Sequence, residues 1–322
     1  MRRRKLPAEH AVWLVIGLAL FRQMPLWQVV REMALTLDGQ ELPAPSASVQ
    51  ARQRLGSEPL AHLFGLLTQA WGRAHAVHQG SFRVLAVDGV VWSAPDSLDN
   101  RQVLGSGQTQ YGPQPWPMVR AVCLLDTDSH ELLDAQLGDY HQGELTLAAG
   151  LRGLDHSITL FDRAYFSAAF LLNWQQAGPE RHWLMRARDN LRHEVEQTLG
   201  ENDWLIRMPV SQQARKLRAE LPSHWQARMI QTMVDGKPRR FITSMLDSGR
   251  FAAEPLAHLY RQRWEIELGF REIKQSMQQG HSVLRSRQPQ LVMQEVWGIL
   301  IAHTLLRRFM KPRQLGPSTR MP

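Results

Sequence analysis

The chain has 322 residues, with 38 lysines and arginines against 30 aspartates and glutamates, for a net charge of +8. This length accommodates two or three domains, and the basic balance favours a polyanionic partner. The single cysteine, Cys123, excludes an internal disulfide and a cysteine-based zinc site, and it fits a reducing compartment. The longest apolar run, residues 11–21, is about half of the ~20 residues that a membrane span requires. We therefore expect no contact with a membrane.

Residues 1–78 predict a small all-helical domain. Helical patterns cover about residues 7–21, 27–37, 46–54 and 59–77. Basic residues are spread along this part of the chain, namely Arg2, Arg3, Arg4, Lys5, Arg22, Arg31, Arg52 and Arg54. The distribution suits a module that contacts DNA, and a helical bundle with a solvated basic face fits the pattern equally well.

Residues 79–187 predict an α/β domain. Strand patterns cover residues 82–87, 118–125, 131–137, 157–161 and 182–186, and helical patterns cover residues 144–154 and 166–176. The order strand, strand, strand, helix, strand, helix, strand is that of a ribonuclease-H-like fold, a mixed five-stranded sheet with flanking helices. Residues 188–250 predict a β-rich insertion into this domain. Residues 251–310 supply its last helices, including 291–310, and residues 311–322 form an irregular tail.

The most informative stretch is residues 260–274, which we predict to lie in one helix over about residues 255–279. Four polar side chains fall on one face of this helix, namely Tyr260, Arg263, Glu267 and Lys274. An apolar stripe beside them can pack into the core and leave this face at the border of a cleft. A surface helix with an ordinary Arg263–Glu267 ion pair explains the spacing alone about as well.

The spacing Y-(2)-R-(3)-E-(6)-K resembles the signature of the insertion sequence 4 family of DDE transposases. Two local sequences, Ala-Val-Asp-Gly at Asp88 and Phe-Asp-Arg-Ala-Tyr-Phe at Asp162, also resemble family motifs. The resemblance covers about residues 5–309 and implies a chain truncated at both ends. It implies that residues 1–78 bind transposon-end DNA and that Tyr260, Arg263 and Lys274 contact its terminal phosphates.

Asp88 and Asp162 each follow a predicted strand, and Glu267 lies on the signature helix. In a ribonuclease-H-like sheet the ends of the first and fourth strands lie side by side, and the helix crosses nearby. Three carboxylates at such positions can hold two Mg²⁺ ions for phosphoryl transfer, and Mn²⁺ is a possible substitute. Without metal the carboxylates repel one another, so we expect a raised pKa for at least one. The simpler interpretations are a turn residue at Asp88 and a helix cap at Asp162.

Two positions depart from the family pattern. Val90 stands where relatives usually have threonine or serine, and Arg240 and Phe241 stand where relatives often have a tryptophan that stacks on a flipped base. Either Arg240 or Phe241 could stack on a base instead. We interpret five tryptophans as core or edge residues rather than as base readers, namely Trp92, Trp116, Trp204, Trp225 and Trp264.

The sequence therefore predicts a DNA transposase. The expected reaction is Mg²⁺-dependent cleavage and strand transfer at the inverted-repeat ends of an insertion sequence, in cut-and-paste transposition. The expected partners are double-stranded DNA, as transposon ends and target, and a second copy of the chain in a homodimer. The expected location is the bacterial cytoplasm, in association with the nucleoid. Two alternatives stay open: a truncated, inactive DNA-binding remnant or inhibitor of transposition, and a stand-alone nuclease of the same fold.

Overall fold

The computed structural model describes residues 6–35, 44–72, 82–110, 112–273 and 283–310. Lys274, the basic residues 2–5 and the predicted tail 311–322 lie outside the described residues. The helices are α1 (Ala8–Leu20), α2 (Leu26–Glu32), α3 (Pro45–Leu55), α4 (Glu58–Leu67), α5 (Leu98–Leu104), α6 (Glu144–Ala148), α7 (Ala168–Gln176), α8 (Gln212–Leu217), α9 (Ala253–Leu259), α10 (Trp264–Arg271) and α11 (Pro289–Met310). None of these helices is long and apolar enough to cross a membrane.

The strands are β1 (Arg83–Ser93), β2 (Gln108–Thr109), β3 (Gly112–Pro113), β4 (Met118–Asp126), β5 (Leu132–Asp139), β6 (Ser157–Phe161), β7 (Arg181–Arg186), β8 (Glu194–Gly200), β9 (Asp203–Pro209), β10 (His224–Val234) and β11 (Lys237–Thr243). Apart from the short β2–β3 pair, they form one sheet in the order β5-β4-β1-β6-β7-β11-β10-β9-β8. β6 runs parallel to both β1 and β7. All other neighbours in the sheet are antiparallel, so the fold is an α/β fold built on a large mixed sheet.

The sheet is wider than the five strands that the sequence predicts. Strands β8 to β11 come from the predicted insertion, residues 188–250, and they continue the sheet instead of forming a separate layer. The junction is the antiparallel pairing of β11 with β7, from Phe241 opposite Arg186 to Thr243 opposite Leu184. This pairing satisfies backbone N–H and C=O groups that an edge strand would leave open.

Alternate residues of β1 face two different cores, as the two-residue period of a strand requires. Ala86, Val90 and Trp92 pack into a core that also contains Ile266 of α10 and residues of α11. Leu85 and Val87 pack into a second core, with residues of α6 and α7. Asp88 has the same parity as Ala86 and Val90, so its side chain belongs to the face that carries α10.

The N-terminal helices share a core with the rest of the molecule. Val15 and Ile16 of α1 lie in the same buried cluster as Val296 and Ile299 of α11. Gly298 allows the close approach of these two helices, because a Cβ atom there would lie 2.8 Å from Cγ1 of Val15. The N-terminal helices also contain a hydrophobic cluster of their own, so they pack both among themselves and against α11.

The signature segment is not one continuous helix. A 3₁₀ turn, Tyr260–Arg263, separates α9 from α10, and residues 274–279 of the predicted helix lie outside the described residues. The Tyr260 hydroxyl donates a hydrogen bond to the carbonyl oxygen of Phe161 at 3.2 Å, so this turn is attached to the end of β6. A 3₁₀ turn winds more tightly than an α-helix, so the spacing of side chains along this segment differs from that of one continuous α-helix. The helix predicted over residues 144–154 is also shorter, because α6 ends at Ala148.

Candidate active site

Asp88 and Asp162 occupy neighbouring positions at the centre of the sheet. The parallel register of β1 and β6 ends with Val87 opposite Phe161, so the two aspartates are the next residues on adjacent strands, which lie about 4.8 Å apart in a sheet. The prediction that β1 ends at Asp88 is wrong, because β1 stays paired with β4 as far as Ser93. The pairing of β1 with β6, in contrast, ends at Val87, so no β6 residue pairs with Asp88.

The Asp88 carboxylate is mostly buried, with 22% of the side chain exposed. It accepts a hydrogen bond from the backbone N–H of Gly89 at 2.8 Å. Burial raises the pKa of Asp88 to about 6, with smaller contributions from the Glu144 and Glu267 carboxylates, while the Gly89 N–H and Arg263 act to lower it. The expected raised pKa is thus found at Asp88, and desolvation contributes more to it than repulsion between carboxylates does.

Asp162 caps the short 3₁₀ turn Arg163–Tyr165. Its carboxylate accepts a hydrogen bond from the backbone N–H of Ala164 at 2.9 Å. The simpler interpretation of Asp162 as a cap therefore describes its contact in the structure. The same residue borders an open cleft, so capping leaves one edge of the carboxylate near solvent.

Arg263 connects the third carboxylate to the first. Its Nη2 atom donates to Oε1 of Glu267 at 2.8 Å, and its Nη1 atom lies 3.8 Å from Oδ2 of Asp88. The Arg263 side chain is only 9% exposed. The Arg263–Glu267 pair exists, as the simpler interpretation of the helix requires, and it extends to Asp88. A positive group thus lies between two of the predicted metal ligands.

Tyr260 and Phe241 are engaged in the core. The Tyr260 ring lies 5.1 Å from that of Phe241, and burial raises the pKa of Tyr260 to about 12. Phe241 is 4% exposed, so in this conformation it cannot stack on a base as the sequence had allowed. Arg240, which neighbours it, donates to the carbonyl oxygen of Asp189 at 3.5 Å.

The cleft beside Asp162 is strongly basic. Its volume is about 360 Å³, and its lining includes five arginines and two aspartates, namely Arg163, Arg186, Arg239, Arg261, Arg263, Asp162 and Asp235. Such a lining attracts phosphate groups, which arginine binds with its fork of N–H donors.

Trp264 also lines this cleft, so of the two positions expected for it, core or edge, it does not occupy the core. Its side chain is 57% exposed, and the Arg263 guanidinium lies 4.9 Å from the ring centroid. The helical period contains the signal that could have revealed this, because Trp264 lies nearly opposite the buried Ile266 and Phe270 on α10. An exposed indole in a basic cleft is a surface on which a nucleic-acid base can stack.

The three predicted ligands suit a hard divalent cation, although they are not gathered around one point. Within the described ranges, no group of three or more His, Cys, Asp or Glu side chains is arranged to hold a metal ion as it stands. Carboxylate oxygens are the donors that Mg²⁺ prefers, and the raised pKa of Asp88 marks a place where added positive charge is favourable. Asp88 and Asp162 are adjacent in the register of β1 and β6, whereas Glu267 is paired with Arg263. Lys274 lies outside the described residues.

Comparison with known proteins places the chain in a family. Residues 79–305 match the family profile described as "Transposase DDE domain", which defines the protein as a DDE transposase. Residues 1–65 match the profile described as "Insertion element 4 transposase N-terminal". The transposase InsG for insertion sequence element IS4 of Escherichia coli (strain K12) is 40% identical over 311 residues, covering 95% of this chain and 70% of InsG. The chain therefore belongs to the insertion sequence 4 family of DDE transposases, metal-dependent enzymes that cleave DNA.

One solved structure shows a weaker likeness. It is the cryo-EM structure of the piggyBac transposase synaptic complex with hairpin DNA, which covers 93% of this chain. The chain spans 65% of the length of that transposase, with a TM-score of 0.47 and 10% sequence identity. A likeness at this level does not establish a common fold.

Proposed function

We propose that this chain cleaves DNA at the inverted-repeat ends of an insertion sequence and transfers the freed ends to target DNA by cut-and-paste transposition. The observation that supports this most is the register of β1 and β6, which makes Asp88 and Asp162 neighbours beside a basic cleft. Glu267, linked to Asp88 through Arg263, completes the set of carboxylates.

In this proposal Asp88, Asp162 and Glu267 hold Mg²⁺, for which Mn²⁺ can substitute. When bound there, the metal would supply activation of the attacking oxygen and stabilisation of the leaving oxygen in phosphoryl transfer. The residues of the chain position the DNA strand and balance its charge, so no covalent protein nucleophile is required. Arg263, Tyr260 and Lys274 contact phosphates at the transposon end, and Trp264 offers its exposed ring to a base. When DNA binds, we expect Arg263 to exchange a carboxylate partner for a phosphate.

The proposed organisation follows from the same assignment. Strands β5, β4, β1, β6 and β7 with their helices form a ribonuclease-H-like core, made of residues 79–187 and 251–310. Residues 188–250 form the insertion, residues 1–78 the DNA-binding helical part, and residues 311–322 the tail. We propose a homodimer in the DNA complex, because two transposon ends need two sites, and a cytoplasmic location at the nucleoid, where the DNA is.

The test is an assay with a duplex that carries the inverted repeat of the element, in the presence and absence of Mg²⁺. Cleavage at the repeat end followed by joining to a target duplex is the expected result. Binding without cleavage would assign the chain to the inactive remnants or inhibitors, and cleavage without preference for the repeat would assign it to stand-alone nucleases. A duplex of the same length with a scrambled repeat is the control.

A further inference from the structure

Glu144, at the start of α6, lies directly behind the two aspartates, on the opposite face of the sheet. We propose that Glu144 is a positioning residue that fixes Asp88 and Asp162 relative to each other through the backbone next to each. This inference rests on the proposed function, because it concerns the same metal-binding carboxylates. It assigns a role to a residue that the sequence analysis did not single out.

The first contact of Glu144 is with the chain immediately after Asp88. A Cβ atom at Gly89 would lie 2.6 Å from Cδ of Glu144 and 2.7 Å from its Oε1. Only glycine permits this approach, so the Glu144 carboxylate packs on the Gly89 backbone. The N–H of Gly89 is the group that donates to Asp88. A shift of Glu144 would therefore move Gly89, and with it the N–H that donates to the Asp88 carboxylate.

The second contact is with the turn that follows Asp162. The Tyr165 hydroxyl lies 3.3 Å from Oε2 of Glu144 and donates a hydrogen bond to it. Tyr165 is 1% exposed and ends the 3₁₀ turn that Asp162 caps. Ala164, which precedes Tyr165, supplies the N–H that donates to Asp162. Glu144 therefore contacts the residue whose N–H donates to Asp88, and it contacts the residue that follows the N–H donor of Asp162.

The partly buried Arg120 completes the surroundings of Glu144. Nε of Arg120 lies 3.9 Å from Oε1 of Glu144, and in the part of the chain that the structure describes this buried Nε makes no hydrogen bond. Arg120 lies in β4, and its Nη1 donates to the carbonyl oxygen of Gln142, just before α6, at 2.7 Å. The Glu144 carboxylate is therefore directed by Arg120 from one side and by Tyr165 from the other, which orients it without a metal contact of its own.

Loss of the contacts that Glu144 makes with Gly89 and Tyr165 should weaken metal binding more than DNA binding. Residues that orient metal ligands typically change metal affinity or activity by about 10–100-fold when they are replaced. Glu144 and Tyr165 lie on the face of the sheet opposite Arg263, and neither lines the basic cleft. Their replacement should therefore leave the affinity for the inverted-repeat duplex nearly unchanged.

The experiment compares Tyr165→Phe, Glu144→Ala and Glu144→Gln with the wild-type chain. Tyr165→Phe keeps the buried ring and removes the hydroxyl. Glu144→Gln keeps an oxygen that accepts from Tyr165 and can therefore rescue the Glu144→Ala change. The matched control is Tyr140→Phe, because the Tyr140 ring also contacts Arg120, with the guanidinium 4.8 Å from its centroid. The readouts are calorimetric titration of each DNA-free protein with Mn²⁺, the Mg²⁺ concentration that gives half-maximal cleavage, and duplex affinity.

The expected result is a Mn²⁺ affinity about 10-fold weaker in Tyr165→Phe and Glu144→Ala, with a parallel rise in the Mg²⁺ requirement. Glu144→Gln should lose less than Glu144→Ala, and Tyr140→Phe should match the wild type. Duplex affinity should change less than about 2-fold in each, since the DNA-binding face is intact. Equal Mn²⁺ affinity in wild type, Tyr165→Phe and Glu144→Ala would overturn this inference and leave the proposed function standing. A wild-type chain that neither binds Mn²⁺ nor cleaves the inverted-repeat duplex with Mg²⁺ would contradict both.

Discussion

The two proposed ligands on the sheet and the proposed ligand on the helix are held by different physical means. Asp88 lies within β1, which pairs with β4 over nine successive positions and with β6 over five, and Asp162 directly follows β6. Glu267 lies on α10, a helix of eight residues that follows a 3₁₀ turn, and its carboxylate is held by Arg263.

This difference indicates how such a site can exist before metal and DNA arrive. The two aspartates are preorganised by strand pairing, which cannot shift without breaking many backbone hydrogen bonds. The glutamate is neutralised by an arginine, which limits the repulsion of carboxylates that no metal yet shields. We therefore expect changes at Asp88 and Asp162 to act on chemistry and stability, and changes at Arg263 to act on DNA binding.

The largest expected effect is the loss of cleavage in Asp162→Asn. The asparagine oxygen can still accept from the N–H of Ala164, so the turn should persist while one ligand charge disappears. Cleavage of the inverted-repeat duplex should fall on the order of 10³-fold or more, as a ligand of the metal centre is lost. Asp189→Asn is the matched control, because Asp189 lines the adjoining cleft and its side chain is 83% exposed. A variant that cuts within about 3-fold of wild type would remove Asp162 from the site.

Asp88→Asn should stabilise the metal-free protein at neutral pH. The folded-state pKa of Asp88 is raised to about 6, so its contribution to stability is fully present below the unfolded pKa, near 4, and is lost as the pH rises through 6. Asparagine does not titrate, so at pH 7 the variant should have a free energy of unfolding about 2–3 kcal/mol higher than wild type. The difference should vanish near pH 4. Denaturant unfolding at pH 4 and pH 7, with a chelator present, measures this difference in the free energy of unfolding. A difference that is the same at both pH values would contradict a raised pKa of Asp88.

Arg263→Ala should weaken binding of the transposon end by about 1–3 kcal/mol, because one fork-shaped phosphate partner is lost. The slope of log affinity against log salt should decrease in size by about 0.9. Arg261→Ala is the control on the same 3₁₀ turn, and its side chain is exposed in the same cleft. If the two variants lose equal affinity, the buried position of Arg263 between Asp88 and Glu267 has no special importance for DNA binding.

The central strands could be read from the sequence, because apolar side chains mark β4, β5, β6 and β7 clearly. β8 could not, since six of its seven residues are exposed and such a strand has no apolar pattern. The number of strands in the sheet could not be predicted either. It depends on the pairing of β11 with β7, which is a long-range contact without a local signal in the sequence. The Asp-Gly dipeptide at residues 88 and 89 also predicted that β1 ends there. In the structure β1 continues beyond Gly89 because it stays paired with β4.

The site was recognisable as a set of residues, and its contacts were not. The resemblance singled out Asp88, Asp162 and Glu267. In the structure the register of β1 and β6 brings the two aspartates together, and Arg263 links Asp88 to Glu267. The 3₁₀ turn at residues 260–263 was missed because it depends on Tyr260 reaching the carbonyl oxygen of Phe161. Glu144 was missed because its importance comes from Gly89 and Tyr165, which are distant from it in sequence and adjacent in space.

The most direct test of the proposed active site is cleavage by Glu267→Gln set beside cleavage by Glu265→Gln. Both changes remove one negative charge from α10 and keep its helix propensity, but Glu265 contacts Nε2 of His130 at 2.8 Å on the other side of the helix. The measurement is Mg²⁺-dependent cleavage of the inverted-repeat duplex, with duplex affinity measured in parallel. We predict that Glu267→Gln binds the duplex as well as wild type or better and does not cut it, whereas Glu265→Gln cuts it. Normal cleavage by Glu267→Gln would contradict the account.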